Sequence, residues 1–266
     1  MLERLSDVNI SNYKKMKSVL FLALLITIYT EVPGGYKLVW SDEFEGGAID
    51  NSKWVYDIGG GGWGNNELEC YTDRAQNAYV SGGLLHIKAL KESFDGKQYT
   101  SARMKTKGKF EFQYGYVEAK IALPRGMGIW PAFWMLGQNI DAVSWPSCGE
   151  IDIIEAINTE NKVYATCHWF SNGGHADYGT STGTFDITQF HTYTLFWDKD
   201  IIRIGVDGNN HYEMIIKDGV GNTGAFHNKF FFLLNIAVGG NWPGFQINDE
   251  QFPTEMLVDY IRVYQP

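Results

Sequence analysis

Positive charge, cysteine, proline and long apolar runs are all scarce in this chain, and each shortage excludes something. Lysine and arginine number 22 against 31 acidic residues, a net charge of −9, and no basic run extends beyond Lys14-Lys15-Met16-Lys17. Phosphate recognition needs clustered cations, so a nucleic-acid surface is excluded, and an acidic polymer would be repelled on average. The three cysteines, Cys70, Cys148 and Cys167, have no metal-ligand spacing and cannot all pair internally. Cys148 and Cys167 flank the turn signal Asn158-Thr159-Glu160-Asn161 and could be bridged across a hairpin, although free, buried thiols are the simpler expectation. Seven prolines stand against 30 glycines, and there is no internal repeat, heptad or low-complexity tract. Bundles, coiled coils and solenoids are therefore out.

The chain's leading apolar run lies near its start. Residues 1–15 are polar and without periodicity, so no structure is assigned to them. Lys14, Lys15 and Lys17 then precede Ser18 to Tyr29, which includes Val19-Leu20-Phe21-Leu22-Ala23-Leu24-Leu25-Ile26. A basic segment followed by about a dozen apolar residues reads as a secretory signal over 16–33, with Met16 as an alternative start; it is short for a membrane span. Thr30-Glu31-Val32-Pro33 offers no small-x-small cleavage site, so an uncleaved anchor and an ordinary buried helix stay open as readings. After signal cleavage the expected product is extracellular, monomeric and without stable membrane association.

Outside that leader no helical pattern exceeds ten residues, whereas strand patterns are many. Leu38 to Trp40, Leu84 to Leu90, Ala102 to Thr106, Phe110 to Leu123, Val163 to Phe170, Tyr193 to Trp197, Ile201 to Val206, Phe230 to Val238 and Leu257 to Tyr264 alternate or run apolar. Phe94-Asp95-Gly96 and Asp207-Gly208 supply turns, the first expected to join Leu84–Leu90 to Ala102–Thr106. Short strands at this spacing predict a single all-β domain over 36–266, a two-sheet antiparallel sandwich. Aromatics make up 15% of the chain, and nine tryptophans exceed what a core usually needs.

Gly149-Glu150-Ile151-Asp152-Ile153-Ile154-Glu155 sets three carboxylates among β-branched residues. Strand alternation puts Glu150 and Asp152 on one face. Glu155 is out of phase, because an odd offset from Glu150 points to the opposite face unless a β-bulge at Ile153-Ile154 inserts one residue. A merely solvated acidic strand is the bland alternative; like charges on so apolar a segment argue against it. Crowded carboxyls out of water have proton affinities pushed apart, which lets one stay ionised while another keeps its proton. Glycoside hydrolysis needs such a pair, and glutamates roughly 13 Å apart at Cα could lean to the roughly 5–5.5 Å of a retaining pair.

Upstream, Ile129-Trp130-Pro131-Ala132-Phe133-Trp134-Met135-Leu136 places Trp130, Ala132 and Trp134 on one strand face and Ile129, Phe133 and Met135 on the other. Two indoles on one face suit stacking on pyranose rings, against a core-only reading that would need that face buried as well. Trp145 is a weaker candidate of the same kind. Downstream, His168 lies on the strand expected to return past the acids; a lone histidine is otherwise more often structural. Asn235 is the polar exception in Phe230–Val238 and must find a partner or face a cleft.

GEIDIIE, with IWPAFWMLG before it, His168 after it and the opening Ser41-Asp42-Glu43-Phe44, resembles glycoside hydrolase family 16, in its endo-1,3-β-glucanase (laminarinase) branch, from about Tyr36 to Tyr264. The resemblance implies a jelly roll with a concave substrate cleft and a neutral β-glucan as substrate. It implies Glu150 as nucleophile, Glu155 as acid/base and Asp152 as the residue holding their protonation states apart. It also implies sugar contacts at Asn66, Arg103, His168, Asn235, Asn241 and Trp242, with Arg103 otherwise readable as a surface ion pair. The family usually has Gln and Tyr where Glu69 and Cys70 stand. No cofactor is needed for the chemistry, but a structural calcium is implied at Glu43, the Gly83 carbonyl and Asp259, all hard oxygen donors. The extra isoleucine of the bulge resembles laminarinases. Mixed-linkage 1,3-1,4-β-glucanase (licheninase) activity, galactan hydrolysis, and a non-catalytic β-glucan-binding recognition protein are the rival readings.

Overall fold

The computed structural model describes residues 32–266, so the N-terminal extension and nearly all of the expected signal or anchor lie outside the described residues. Among the described residues no helix is long and apolar enough to cross a membrane. Seventeen strands follow in order: β1 Lys37–Asp42, β2 Val55–Asp57, β3 Glu69–Tyr71, β4 Ala78–Ser81, β5 Leu84–Phe94, β6 Lys97–Ser101, β7 Arg103–Lys105, β8 Gly115–Ala122 and β9 Ile129–Gly137. After the one-turn helix α1, Ile140–Val143, come β10 Glu150–Glu155, β11 Tyr164–Ser171, β12 Gly174–Ser181, β13 His191–Trp197, β14 Ile201–Val206, β15 Asn209–Ile215, β16 Phe230–Val238 and β17 Thr254–Gln265.

They form a sandwich. One sheet has ten strands, along β15-β14-β13-β8-β17-β5-β6-β3 with β1 on β17 and β4 on β5; the other has seven, in the order β12-β11-β10-β9-β16-β7-β2. Pairing is antiparallel except for β3 with β6. Between the sheets, alternate residues interlock: Ile129, Phe133 and Met135 of β9 and Phe230, Phe232, Leu234, Ile236 and Val238 of β16 are fully buried there. These face Val117, Ala119 and Ile121 of β8 and Val258, Ile261 and Val263 of β17. Burying one such side chain contributes about 1.5–3 kcal/mol, so this layer fixes the position of the seven-stranded sheet.

The opposite face of that sheet carries the polar and aromatic residues. β16 is buried on both sides because Phe231 and Leu233 join Leu136 and Cys148 in a second, small apolar cluster beneath Trp134 and Ile140. Cys167 belongs instead to the core between the sheets. The two cysteines are thus on opposite faces of the sheet and unbridged, as is Cys70. Burial pushes the Cys148 thiol up to about 11, so it stays protonated.

Two expectations need correction. Asp95-Gly96 joins β5 to β6 within one sheet, while β7 passes to the other sheet and pairs with β16. The alternation from Phe110 does not start a strand there: Phe112 makes an isolated bridge to Phe230, and Tyr114 takes a positive φ of 60° before β8 begins. The absence of a long regular helix holds among the described residues, since the helical stretch Lys217–His227 is broken by left-handed Asp218, Gly219, Gly221 and Asn222 and by extended Val220.

Candidate active site

β10 is paired with β9 on one side and β11 on the other, and both ladders slip within it. Against β9, Asp152 pairs with Trp134, Ile154 with Phe133 and Glu155 with Ala132, so Ile153 is the extra residue. Against β11, the slip falls between Asp152 and Glu155. Ile153 and Ile154 are both fully buried in the inter-sheet core. The bulge therefore returns Glu155 to the face of Glu150 and Asp152, and all three line one open cleft of about 570 Å³.

Indole donors grip the carboxylates. Trp130 Nε1 donates to Glu155 Oε1 at 2.9 Å, and Trp145 Nε1 donates to Glu150 Oε2 at 2.9 Å. Trp134 Nε1 donates to Asn235 Oδ1 at 2.8 Å. The tryptophans expected as sugar platforms thus also hold the acids or the floor through their N–H edges. His168 sits opposite Glu150 in the ladder, with Nε2 at 3.2 Å from Asp152 Oδ2 and 3.8 Å from Glu150 Oε1.

All three acids hold their protons more tightly than usual. For Glu150 the main cause is burial, followed by the charge of Asp152, with His168 and the Trp145 N–H pulling the other way. Asp152, only 2% exposed, is raised by burial and then by Glu155. Burial pushes Glu155 up to about 7, against the opposing Trp130 hydrogen bond and His168. A group that holds its proton to neutrality suits a general acid. Glu150 and Glu155 each accept one indole N–H at 2.9 Å, so these hydrogen bonds support a carboxylate at either position and do not by themselves assign the two roles.

The far wall of the cleft comes from the glycine-rich loop at residues 59–67 and from β7. Arg103 lies between the rings of Trp63 and Trp134, at 4.9 and 4.8 Å from their centroids, and pairs with Asp57 at 3.1 Å. It is at once an ion-pair residue and a cleft residue. Asn235, 6% exposed, donates to the Tyr71 hydroxyl at 3.1 Å, and Tyr71 donates to Glu67 Oε2 at 2.9 Å. Glu69 is fully buried behind them, accepts the Val238 N–H at 2.6 Å, and is pushed well above the usual carboxyl range by burial and then by the charge of Glu67.

The cleft brings together Glu150, Asp152, Glu155, Trp130, Trp134, Trp145, Arg103, His168, Asn235 and Trp242. Asn66 and Asn241 are not among its lining; they hydrogen-bond to each other at 2.9 Å, and Asn65 takes the cleft-facing position. Asn66 has a left-handed backbone, φ 58°, directly after the cleft-lining Asn65. Sequence reasoning missed Trp63, Asn65, Glu67 and His175, which also line the cleft. Trp63-Gly64-Asn65, beside Asn66, was the available signal; His175 had none.

The calcium set fits poorly. The registers Val258↔Leu85 and Asp42↔Ile261 carry Gly83, Asp259 and Glu43 toward one end of the ten-stranded sheet. Both carboxylates are already matched by cations, however: Glu43 by a bidentate Arg262 at 3.0 and 2.8 Å, and Asp259 by Lys120 at 2.7 Å.

An antiparallel sandwich with paired acids in an aromatic-walled open cleft is the architecture of polysaccharide-acting β-sandwich enzymes. The family model for glycosyl hydrolases family 16 matches residues 65–262, and the chain belongs to that family. The catalytic domain of an endo-1,3-beta-glucanase (laminarinase) from Thermotoga petrophila RKU-1 superposes with a TM-score of 0.80 at 45% identity, covering 86% of this chain and 98% of that one. A beta-glucanase of Rhodothermus marinus is 40% identical, over 86% of this chain and 85% of its own length. The clotting factor G alpha subunit of Tachypleus tridentatus is 48% identical over 86% of this chain, which spans only 34% of that protein.

Proposed function

We propose that the chain is a secreted, retaining endo-glycosidase that hydrolyses internal 1,3-β-glucosidic bonds of β-glucans. The observation that carries the reading is the bulged strand β10, which gathers Glu150, Asp152 and Glu155 on one cleft face between stacking indoles. The similar laminarinase and beta-glucanase support the substrate class. An open cleft, rather than a closed pocket, suits attack within a polymer.

In the first step a Glu150 oxygen bonds to the anomeric carbon as the glycosidic C–O bond breaks, and the Glu155 proton passes to the leaving oxygen. In the second, Glu155, now a carboxylate, takes a proton from water as the water oxygen attacks the same carbon and releases Glu150. Asp152 holds negative charge off Glu150 by keeping its own proton, and His168 faces both acids. As the C–O bonding pair leaves with the glycosidic oxygen, the anomeric carbon gains oxocarbenium character, which the Glu150 anion stabilises. Glu150→Gln and Glu155→Gln are each expected to fold and to lose at least about a thousandfold in kcat, the scale of a removed catalytic group. Near-wild-type turnover in either variant overturns the assignment, and an inverted anomer in the first product overturns the retaining mechanism. A structural calcium at Glu43, Gly83 and Asp259 is a subsidiary proposal; it requires Arg262 and Lys120 to yield their partners, and calcium-dependent melting lost in Asp259→Asn would support it.

A further inference from the structure

We propose that His168, His175 and Asp177 form a site for a divalent transition metal of the Zn²⁺ type at the mouth of the cleft, and that its occupancy switches hydrolysis off. The second half rests on the glucanase reading; the first does not.

The ladder between β11 and β12 pairs His168 with Asp177 and Phe170 with His175, which puts both histidines and the aspartate on the cleft face of the sheet. Their ligand atoms lie within 4.8 Å of one another. His168 Nδ1 is 2.9 Å from His175 Nε2, so two imidazole nitrogens point at each other. That contact needs a shared hydrogen when no ion is present; with both nitrogens unprotonated, their lone pairs converge on a place for a cation. Two imidazoles and a carboxylate suit Zn²⁺ or Cu²⁺ and leave a further coordination position open, whereas calcium and magnesium prefer oxygen donors. Zinc–nitrogen bonds of about 2.0–2.1 Å require the pair to open by only a few tenths of an ångström.

The surroundings add a second argument. A metal-bound histidine usually donates its other ring N–H to a carboxylate, and His168 Nε2 faces Asp152 Oδ2 at 3.2 Å. That oxygen is buried and has no hydrogen-bond partner of its own, so it is free to accept. The Trp145 ring lies 4.7 Å from the His175 ring and walls one side. His175 and Asp177 are exposed, giving an ion direct entry from solvent. Glu150, Asp152 and His168 form a competing set, but it offers one nitrogen where the proposed set offers two.

A bound dication would oppose hydrolysis in two ways. It would fix His168 as a donor to Asp152, and its charge would draw electron density from Glu150, weakening the nucleophile. The mouth of the cleft beside Trp145 would also be obstructed.

The test is calorimetric titration of the full chain with ZnCl₂ in a non-chelating buffer, alongside laminarin hydrolysis in the same zinc series. One Zn²⁺ per chain is expected, with affinity falling at least tenfold in His175→Ala and in Asp177→Asn. Hydrolysis should fall with a midpoint that tracks this affinity and recover with EDTA. Asp177→Asn should keep its basal rate while its inhibition midpoint rises at least tenfold. Absence of binding up to millimolar zinc, or affinity unchanged in both variants, overturns the site. Binding as described without inhibition overturns the switch alone. A chain with no hydrolytic activity even in EDTA refutes the glucanase reading, while the titration still decides the metal site.

Discussion

Replacing Glu155 with glutamine should make the protein more stable in mild alkali and leave it unchanged in acid. Glu155 is 8% exposed, and burial raises its carboxyl from 4.5 to about 7. The folded state therefore holds a proton that the unfolded chain releases, so wild-type stability is fully present below about pH 4.5 and declines as pH rises to about 7. The free energy at stake is about 3 kcal/mol, from 1.36 kcal/mol for each factor of ten in proton affinity. Glutamine keeps the oxygen that accepts the Trp130 N–H and cannot ionise. Urea unfolding at pH 4 and pH 8 should show the two proteins nearly equal at the lower pH and Glu155→Gln ahead by about 3 kcal/mol at the higher, roughly 6–12 °C in melting temperature for a domain of this size. Equal stability at both values would refute the claim that Glu155 folds as a neutral acid.

The same carboxyl sets the alkaline limit of turnover: kcat should fall as pH rises through about 7, measured on laminarin across pH 4–9, because the acid must be protonated for the first step. Trp145→Phe removes the N–H held by Glu150, which favours its ionised form; the acid limb of the profile should move upward and kcat fall about tenfold to a hundredfold, the scale of a hydrogen bond of about 1.5–3 kcal/mol to a charged group. Deleting Ile153 leaves an even offset between the two glutamates, so the variant should fold with Glu155 still on the cleft face and retain measurable hydrolysis; deleting Ile153 and Ile154 together should turn Glu155 into the core and abolish it. Glu69→Gln keeps an acceptor for the Val238 N–H without a buried ionisable group, and should raise stability above neutral pH while leaving it unchanged in acid, as read by melting curves.

How much could be read in advance depended on how strongly side-chain pattern controlled position. The β10 bulge was legible because parity is unforgiving: two glutamates five residues apart share a face only if the strand slips, and Ile153-Ile154 supplied the apolar pair to bury. The faces of Trp130 and Trp134 followed from the same alternation. β12 was not legible, since Gly174–Ser181 is mostly polar and small and takes its strand form from pairing with β11. His175 was missed with it. Asn66 was one residue from the cleft-lining Asn65, a choice between two adjacent asparagines that side-chain pattern in a loop does not make. The buried Glu67, Glu69, Tyr71 and Asn235 arrangement needed β3 placed against β16, a contact between residues far apart in sequence that local pattern does not encode.

The decisive measurement is a chromatographic product profile from the purified 36–266 segment and the full chain, each given laminarin and barley mixed-linkage glucan in parallel, with Glu150→Gln as control. Early release of mixed oligosaccharides chiefly from laminarin, absent in Glu150→Gln, is the predicted result. Preferential cleavage of the barley polymer would contradict the linkage assignment, and binding of either glucan without products would contradict the assignment of catalysis to β10.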